Sequence, residues 1–190
     1  MSTQLRKKEK AFGIISTISM FSSIVSTFLI ITSGTNVFEY GFFYLITNLL
    51  IGFFSFYLFK TYAIQYKDLT KYMIGLLFGV LLLKDLYLFE QIILTGCLTN
   101  SSQYILICEG LLVTLDFALL INYFSYNVKH KLHSINKVVN RIVIPLSMVL
   151  NIVTIIMQGI ELSTIFALLT TLTSYISIEY AESHLVPFEQ

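Results

Sequence analysis

The sequence predicts an all-α, polytopic membrane bundle of six transmembrane helices with both termini cytoplasmic. Three observations carry that prediction. First, 56% of the 190 residues are hydrophobic and 12% are charged, with a mean hydropathy of +0.78. A soluble domain has about a quarter of its residues charged, so this chain has too little polar surface to cover a water-soluble globule. Second, eleven of its twelve Lys and Arg residues form three clusters: Arg6, Lys7, Lys8 and Lys10; Lys60, Lys67 and Lys71; and Lys129, Lys131, Lys137 and Arg141. Third, two apolar stretches separate each cluster from the next, and the loops joining those stretches carry no base. The positive-inside rule then places all three clusters in the cytoplasm.

Each predicted span is near the roughly 20 residues that a helix rising about 1.5 Å per residue needs to cross a hydrocarbon core of about 30 Å. The first, about 11–33, follows a basic start in the outline of a signal peptide. Its apolar run exceeds a typical signal-peptide core and no small-residue cleavage pattern follows, so it reads as a retained helix. The second, about 39–59, is rimmed by Tyr40, Phe42, Phe43 and Tyr44 on one side and by Phe56, Tyr57, Phe59 and Tyr62 on the other. Amphipathic rings anchor at headgroup depth. The third and fourth, about 72–94 and 104–128, pair across residues 95–103. The fifth, about 142–158, is the shortest and holds Pro145 near its cytoplasmic end, where a lost backbone hydrogen bond costs least, which predicts a tilt or kink. The sixth, about 162–180, closes a single integral domain over residues 1–190. Short outer loops at 34–37, 95–103 and 159–161 make successive antiparallel hairpins, while the inner loops at 60–71 and 129–141 are longer and basic.

Several function classes are disfavoured at this stage. The bases are committed to topology, so no basic face is left for nucleic acid. Two cysteines, Cys97 and Cys108, make neither a disulfide framework nor a Cys-rich metal site. His130 and His133 are spaced i, i+3, but no third ligand stands nearby, so a solvated loop is the preferred reading. GxSxG, HExxH, P-loop and GxGxxG motifs are absent, and Cys97 falls on the opposite predicted side from every histidine. The expectation is a non-enzymatic protein without a cofactor.

The twelfth base, Lys84, lies inside the third span, where an ionisable group is costly enough to need a reason. It follows Lys71 by 13 residues, and Asp116 precedes Lys129 by 13. On antiparallel helices both reach a depth of roughly 20 Å from the inner boundary, which makes them natural partners. Asp85 competes, although adjacent helical residues point about 100° apart. Asn48 on the second span reaches the same layer, and Glu109 and Glu90 extend it outward as an acidic lining. The functional reading is a ligand-binding or switch cavity formed by Lys84, Asp85, Asp116, Glu109, Asn48 and Glu90 between the second, third and fourth helices. The plainer reading is a structural ion pair, with Glu90 and Glu109 snorkelling to the interface. Two packing features accompany it: Gly75 and Gly79, a GxxxG spacing that predicts close helix approach within the monomer, and Ser16, Ser19, Ser23 and Ser26 on one face of the first helix, a packing seam.

Residues 141–179, RIVIPLSMVLNIVTIIMQGIELSTIFALLTTLTSYISIE, resemble the closing two helices of the multi-helix N-terminal membrane sensing region of bacterial diguanylate cyclases and sensor histidine kinases. The matching features are Ile144-Pro145 opening the penultimate helix, Gln158-Gly159 at its end, and a Thr-rich last helix closing in Tyr175-Ile-Ser-Ile-Glu179. The preceding LDFALLINYFSYNVKHK resembles that region's earlier helix running into a basic loop. The resemblance covers about the second half of the chain. It implies a module of the bacterial plasma membrane that perceives a stimulus, such as a small-molecule ligand, and passes motion through its last helix to a cytoplasmic or membrane partner. No GGDEF motif, phospho-acceptor helix or ATP-binding lid follows before Gln190, so a stand-alone module, a truncated relative or the membrane part of a longer sensor is expected. The alternative is a small transporter or substrate-binding subunit. Six-helix specificity components of vitamin importers carry an Ala-rich motif on the first helix, where this chain has serines and a single Ala11.

Overall fold

The computed structural model describes residues 3–32, 42–64, 67–94, 100–128 and 133–185. They form six helices: α1 (Thr3–Thr32), α2 (Phe42–Ala63), α3 (Lys67–Leu94), α4 (Asn100–Val128), α5 (His133–Gln158) and α6 (Leu162–Leu185). All six are long and apolar enough to cross a membrane. Helices α3 and α5 begin well before the apolar spans predicted from hydropathy, because a helix that leaves lipid continues through polar residues while its backbone bonds remain satisfied. The connections between α2 and α3 and between α4 and α5 are correspondingly shorter than the basic loops expected. Pro145 therefore lies well inside α5 rather than near its start.

Successive helices pack side by side from α1 to α6, and α6 returns against α1 to close the ring. It also touches α2 and α3, which makes it the hub of the bundle. Its composition explains that position. Thr170, Thr171, Ser174 and Ser177 are small enough to let neighbouring helices approach, and all are buried. Facing them on α1, Ser19 bonds Ser174 at 3.0 Å, Ser22 bonds Thr170 at 2.8 Å, and Ser26 donates to the Ser163 carbonyl at 3.0 Å. Ser55 on α2 joins the seam by donating to Ser177 at 3.1 Å.

The outer surface is the inverse of a soluble protein's. Phe21, Phe28, Phe53, Phe117, Phe124 and Ile156 are exposed, while many serine and threonine hydroxyls are buried beside the apolar core. Such a distribution is stable only where the surroundings are apolar and buried polar groups find partners within the bundle.

Three packing expectations are corrected. Gly79 has no heavy atom within 4 Å of where a Cβ would sit, so the GxxxG spacing is not a close-approach seam; Gly75 meets only the Tyr123 ring, at 3.0 Å. The tight crossing is at Gly52, where an added Cβ would lie 2.6 Å from Ser23 Cβ and 3.0 Å from the Ser19 carbonyl oxygen. Ser23 thus serves the α1–α2 contact, and Ser22 takes its place in the α1–α6 seam. Phe59 and Tyr62, expected as headgroup anchors, instead surround the buried Phe12 together with Tyr180, whose ring stacks on Phe12 at 4.6 Å. Tyr57, Phe42 and Phe43 are exposed as anchors should be. Tyr40, Cys97 and His130 lie outside the described residues.

At the turn between α5 and α6, Gly159 adopts φ of 111° and its N–H donates to the Ile155 carbonyl at 3.1 Å. That left-handed helix cap is a conformation glycine enters without steric cost.

Candidate functional site

Helical periodicity places the charges on the same faces as the core leucines. On α3, Leu77, Phe78, Leu81, Lys84 and Asp85 are all buried; on α4, Glu109, Leu112, Asp116 and Leu119 are; on α6, Ala167, Thr171, Tyr175 and Ile178 are. Spacings of three, four and seven residues bring each set to one side of its helix. The ionisable groups are therefore inside the bundle, with Lys84 5% exposed, Asp85 1%, Glu109 2% and Asp116 0%.

Lys84 Nζ lies 3.4 Å from Asp85 Oδ1 and donates to Thr171 Oγ1 at 2.9 Å. Thr171 in turn donates its own proton to the Ala167 carbonyl at 3.1 Å, leaving its oxygen free to accept from the ammonium. The Tyr175 hydroxyl donates to Asp116 Oδ1 at 2.6 Å. The expected Lys84–Asp116 pair is thus replaced by two links. Lysine's flexible four-carbon stem reaches its own neighbour Asp85, overcoming the angular offset between them, and Asp116 is held by α6. Asp116 and Glu109 still fall within electrostatic range of Lys84, and Asp85 and Asp116 face each other at close range.

Several polar atoms of this centre make no hydrogen bond: both oxygens of Asp85, of which Oδ1 has the Lys84 ammonium as its ion-pair partner, Glu109 Oε2, Asp116 Oδ2 and, from α5, Ser147 Oγ. Ser147 is fully buried and lies within interaction range of the Tyr175 hydroxyl. Leaving one buried polar group unpaired costs about 1–3 kcal/mol, more when it is charged. A cluster of this size is therefore a concentrated departure from ordinary core packing. Among the described residues, no group of three or more His, Cys, Asp and Glu side chains is placed to hold a metal ion.

The other two candidates sit elsewhere. Asn48 is buried but donates to the Ser23 carbonyl at 3.3 Å, serving the α1–α2 contact; the α2 residue within electrostatic range of Lys84 is Tyr44. Glu90 is exposed, on a shallow apolar groove with Phe43, Leu86, Tyr87 and Ile93. The centre therefore lies among α3, α4, α5 and α6 rather than among α2, α3 and α4. Matching depths identified Lys84, Asp85, Asp116 and Glu109, but depth without azimuth also admitted Glu90, which is turned some 140° from Asp85 on an ideal helix.

Thr171, Tyr175 and Ser147 were missed because they are uncharged, and for Thr171 and Tyr175 the last helix also has no flanking basic cluster from which to count depth. A second polar chain was missed too. Asn122 Nδ2 donates to Asn140 Oδ1, and Asn140 Nδ2 to Glu182 Oε2, each at 2.7 Å. It joins α4, α5 and α6 at the end of the bundle that holds the start of α1 and the end of α6. Comparison of the chain with protein-family models, curated proteins and solved structures gives no match.

Proposed function

We propose that the chain is a non-enzymatic sensing or signalling module of the bacterial plasma membrane, with both termini cytoplasmic, in which the buried charged centre sets the position of α6. One observation carries this reading: α6 is held to the centre through both Lys84–Thr171 and Tyr175–Asp116. A change in charge or occupancy at the centre acts on the last helix directly, and the Asn122–Asn140–Glu182 chain ties that helix again at the proposed cytoplasmic end. The resemblance of residues 141–179 to the closing helices of bacterial sensing regions supports the same direction of signal flow, toward a cytoplasmic or membrane partner.

A second reading, a small transporter or substrate-binding subunit, is favoured by the excess of carboxyls: Asp85, Glu109 and Asp116 surround one lysine. The two readings differ in what moves, a helix end or a cargo.

The test uses spin labels at Tyr72→Cys on α3 and Glu179→Cys on α6, both exposed positions, with the native cysteines replaced by serine. Asp116→Asn should shift the distance distribution between them. An unchanged distribution in Asp116→Asn, Lys84→Met and Tyr175→Phe alike would refute the coupling. Labelling cysteines introduced at Asn100 and Ser134 from opposite faces of the membrane checks the topology; labelling of both from one face would overturn it.

A further inference from the structure

We infer that Asp85, Asp116, Ser147 and Tyr175 form a binding site for one dehydrated monovalent cation, with Na⁺ the fitting ion. The inference rests on the reading of the charged centre as the element that sets α6. These four residues come from four different helices, α3, α4, α5 and α6, and each is at most 1% exposed.

The ligand chemistry follows from what is left unpartnered. Asp85 Oδ2 and Asp116 Oδ2 lack hydrogen-bond partners, Asp85 Oδ1 has only the Lys84 ammonium at 3.4 Å, and the Ser147 hydroxyl, a neutral group outside the acidic cluster within interaction range of Tyr175, makes no hydrogen bond either. All are hard oxygen donors, the ligand type of alkali and alkaline-earth ions rather than of softer metals. Charge selects among those ions. At the point where Asp85 and Asp116 meet, Glu109 being two turns away along α4, the two carboxylates face one ammonium, Lys84, so the pair keeps a single negative charge in a low-dielectric interior, where an uncompensated charge is strongly unfavourable. One monovalent cation neutralises it, whereas a divalent ion would overshoot and would call for a third carboxylate at the same point, which the described residues do not supply.

A proton shared by the two carboxyls is the competing solution. It would partner one oxygen of each aspartate, the other Asp85 oxygen facing the Lys84 ammonium at 3.4 Å, and would leave Ser147 as it is. A cation engages several oxygens at once. Two adjacent carboxylates also present a strong field, which favours Na⁺ over the larger K⁺.

Because the site takes ligands from α5 and α6 as well as from α3 and α4, occupancy draws Tyr175 and Ser147 toward the aspartates. Ion binding is thereby coupled to the packing of the last helix. Glu109, one further buried carboxyl within electrostatic range of Asp85, lies two turns along α4 from Asp116 and adds negative potential on one approach to the site.

The experiment measures the unfolding midpoint of the purified full-length chain in detergent as NaCl replaces choline chloride at constant ionic strength. Na⁺ should raise the midpoint saturably, by roughly 5–10 °C at about a hundred times its dissociation constant, and KCl should do so less. Ser147→Ala, which removes one neutral ligand and little volume, should weaken the Na⁺ response at least several-fold while the protein still folds. Asp116→Asn should abolish the response, and Glu90→Gln should leave it intact.

Equal midpoints in Na⁺ and choline would overturn the inference, as would a full Na⁺ response in Ser147→Ala, or a response that follows pH and ignores Na⁺, which would assign the centre to a shared proton. Spin-label distances from the preceding test separate the two levels. If they respond to Asp116→Asn while Na⁺ has no effect, the cation site falls and the α6 coupling stands.

Discussion

Substituting alanine for glycine at positions 52 and 79 should have opposite effects, although both glycines lie inside transmembrane-length helices. At Gly52 the new methyl would sit 2.6 Å from Ser23 Cβ and 3.0 Å from the Ser19 carbonyl oxygen. The carbonyl is backbone in α1 and cannot rotate away, so α1 and α2 must separate. Overpacking of this kind costs about 1–3 kcal/mol, offset in part by the 0.5–1 kcal/mol or so that alanine gains over glycine in a helix. The net loss for Gly52→Ala is about 1–2 kcal/mol. At Gly79 no heavy atom lies within 4 Å of the new methyl, so Gly79→Ala should keep the helical gain of about 0.5–1 kcal/mol. The gap between the two variants is then about 1.5–3 kcal/mol, or roughly ten- to 150-fold in the unfolding equilibrium. Reversible unfolding in mixed detergent–SDS micelles, followed by circular dichroism, reads that difference. A Gly52→Ala protein as stable as the parent, or a Gly79→Ala protein less stable than Gly52→Ala, would refute the assignment of the close crossing to α1 and α2.

Three further outcomes follow from the interior. Tyr175→Phe keeps the ring but deletes the hydroxyl that donates to Asp116; it should cost about 1.5–3 kcal/mol in the same assay, and no loss would mean the bond is not maintained in lipid or detergent. Lys84→Met alone should cost about 3–5 kcal/mol by stranding Asp85, whereas Lys84→Met with Asp85→Leu should recover most of it. A double variant no better than Lys84→Met would show that Asp85 is not the principal partner. Asn140→Ala cuts both links of the Asn122–Asn140–Glu182 chain and should lower hydrogen-exchange protection at the end of α6, with unchanged protection counting against a locking role.

Hydropathy and the placement of bases located all six helices, because lipid demands about 20 apolar residues per crossing regardless of what each helix packs against. The layer shared by Lys84, Asp85, Asp116 and Glu109 was legible for a similar reason: depth along a helix is linear in residue number. Contacts around the helix were less legible. Which neighbour Lys84 selects depends on azimuth and on which helix takes the centre, and nothing in the sequence of α6 marks it as the hub except its threonines and serines. Gly75 and Gly79 illustrate the limit, since small residues permit a close approach without specifying where it happens. Gly52 makes that approach only because Ser23 and the Ser19 carbonyl happen to face it.

The hydroxyl seam between α1 and α6 has a mechanical consequence. Each serine and threonine both donates and accepts, so the pairs are interchangeable, and on these antiparallel helices they recur about once per turn. Slid by one turn, about 5.4 Å, α6 would set Ser177 against Ser19, Ser174 against Ser22 and Thr170 against Ser26, with three hydroxyl pairs preserved. Hydroxyl pairing alone therefore does not single out one register between α1 and α6. Thr171 and Tyr175, held from the opposite side by Lys84 and Asp116, supply contacts that the slid register would lose.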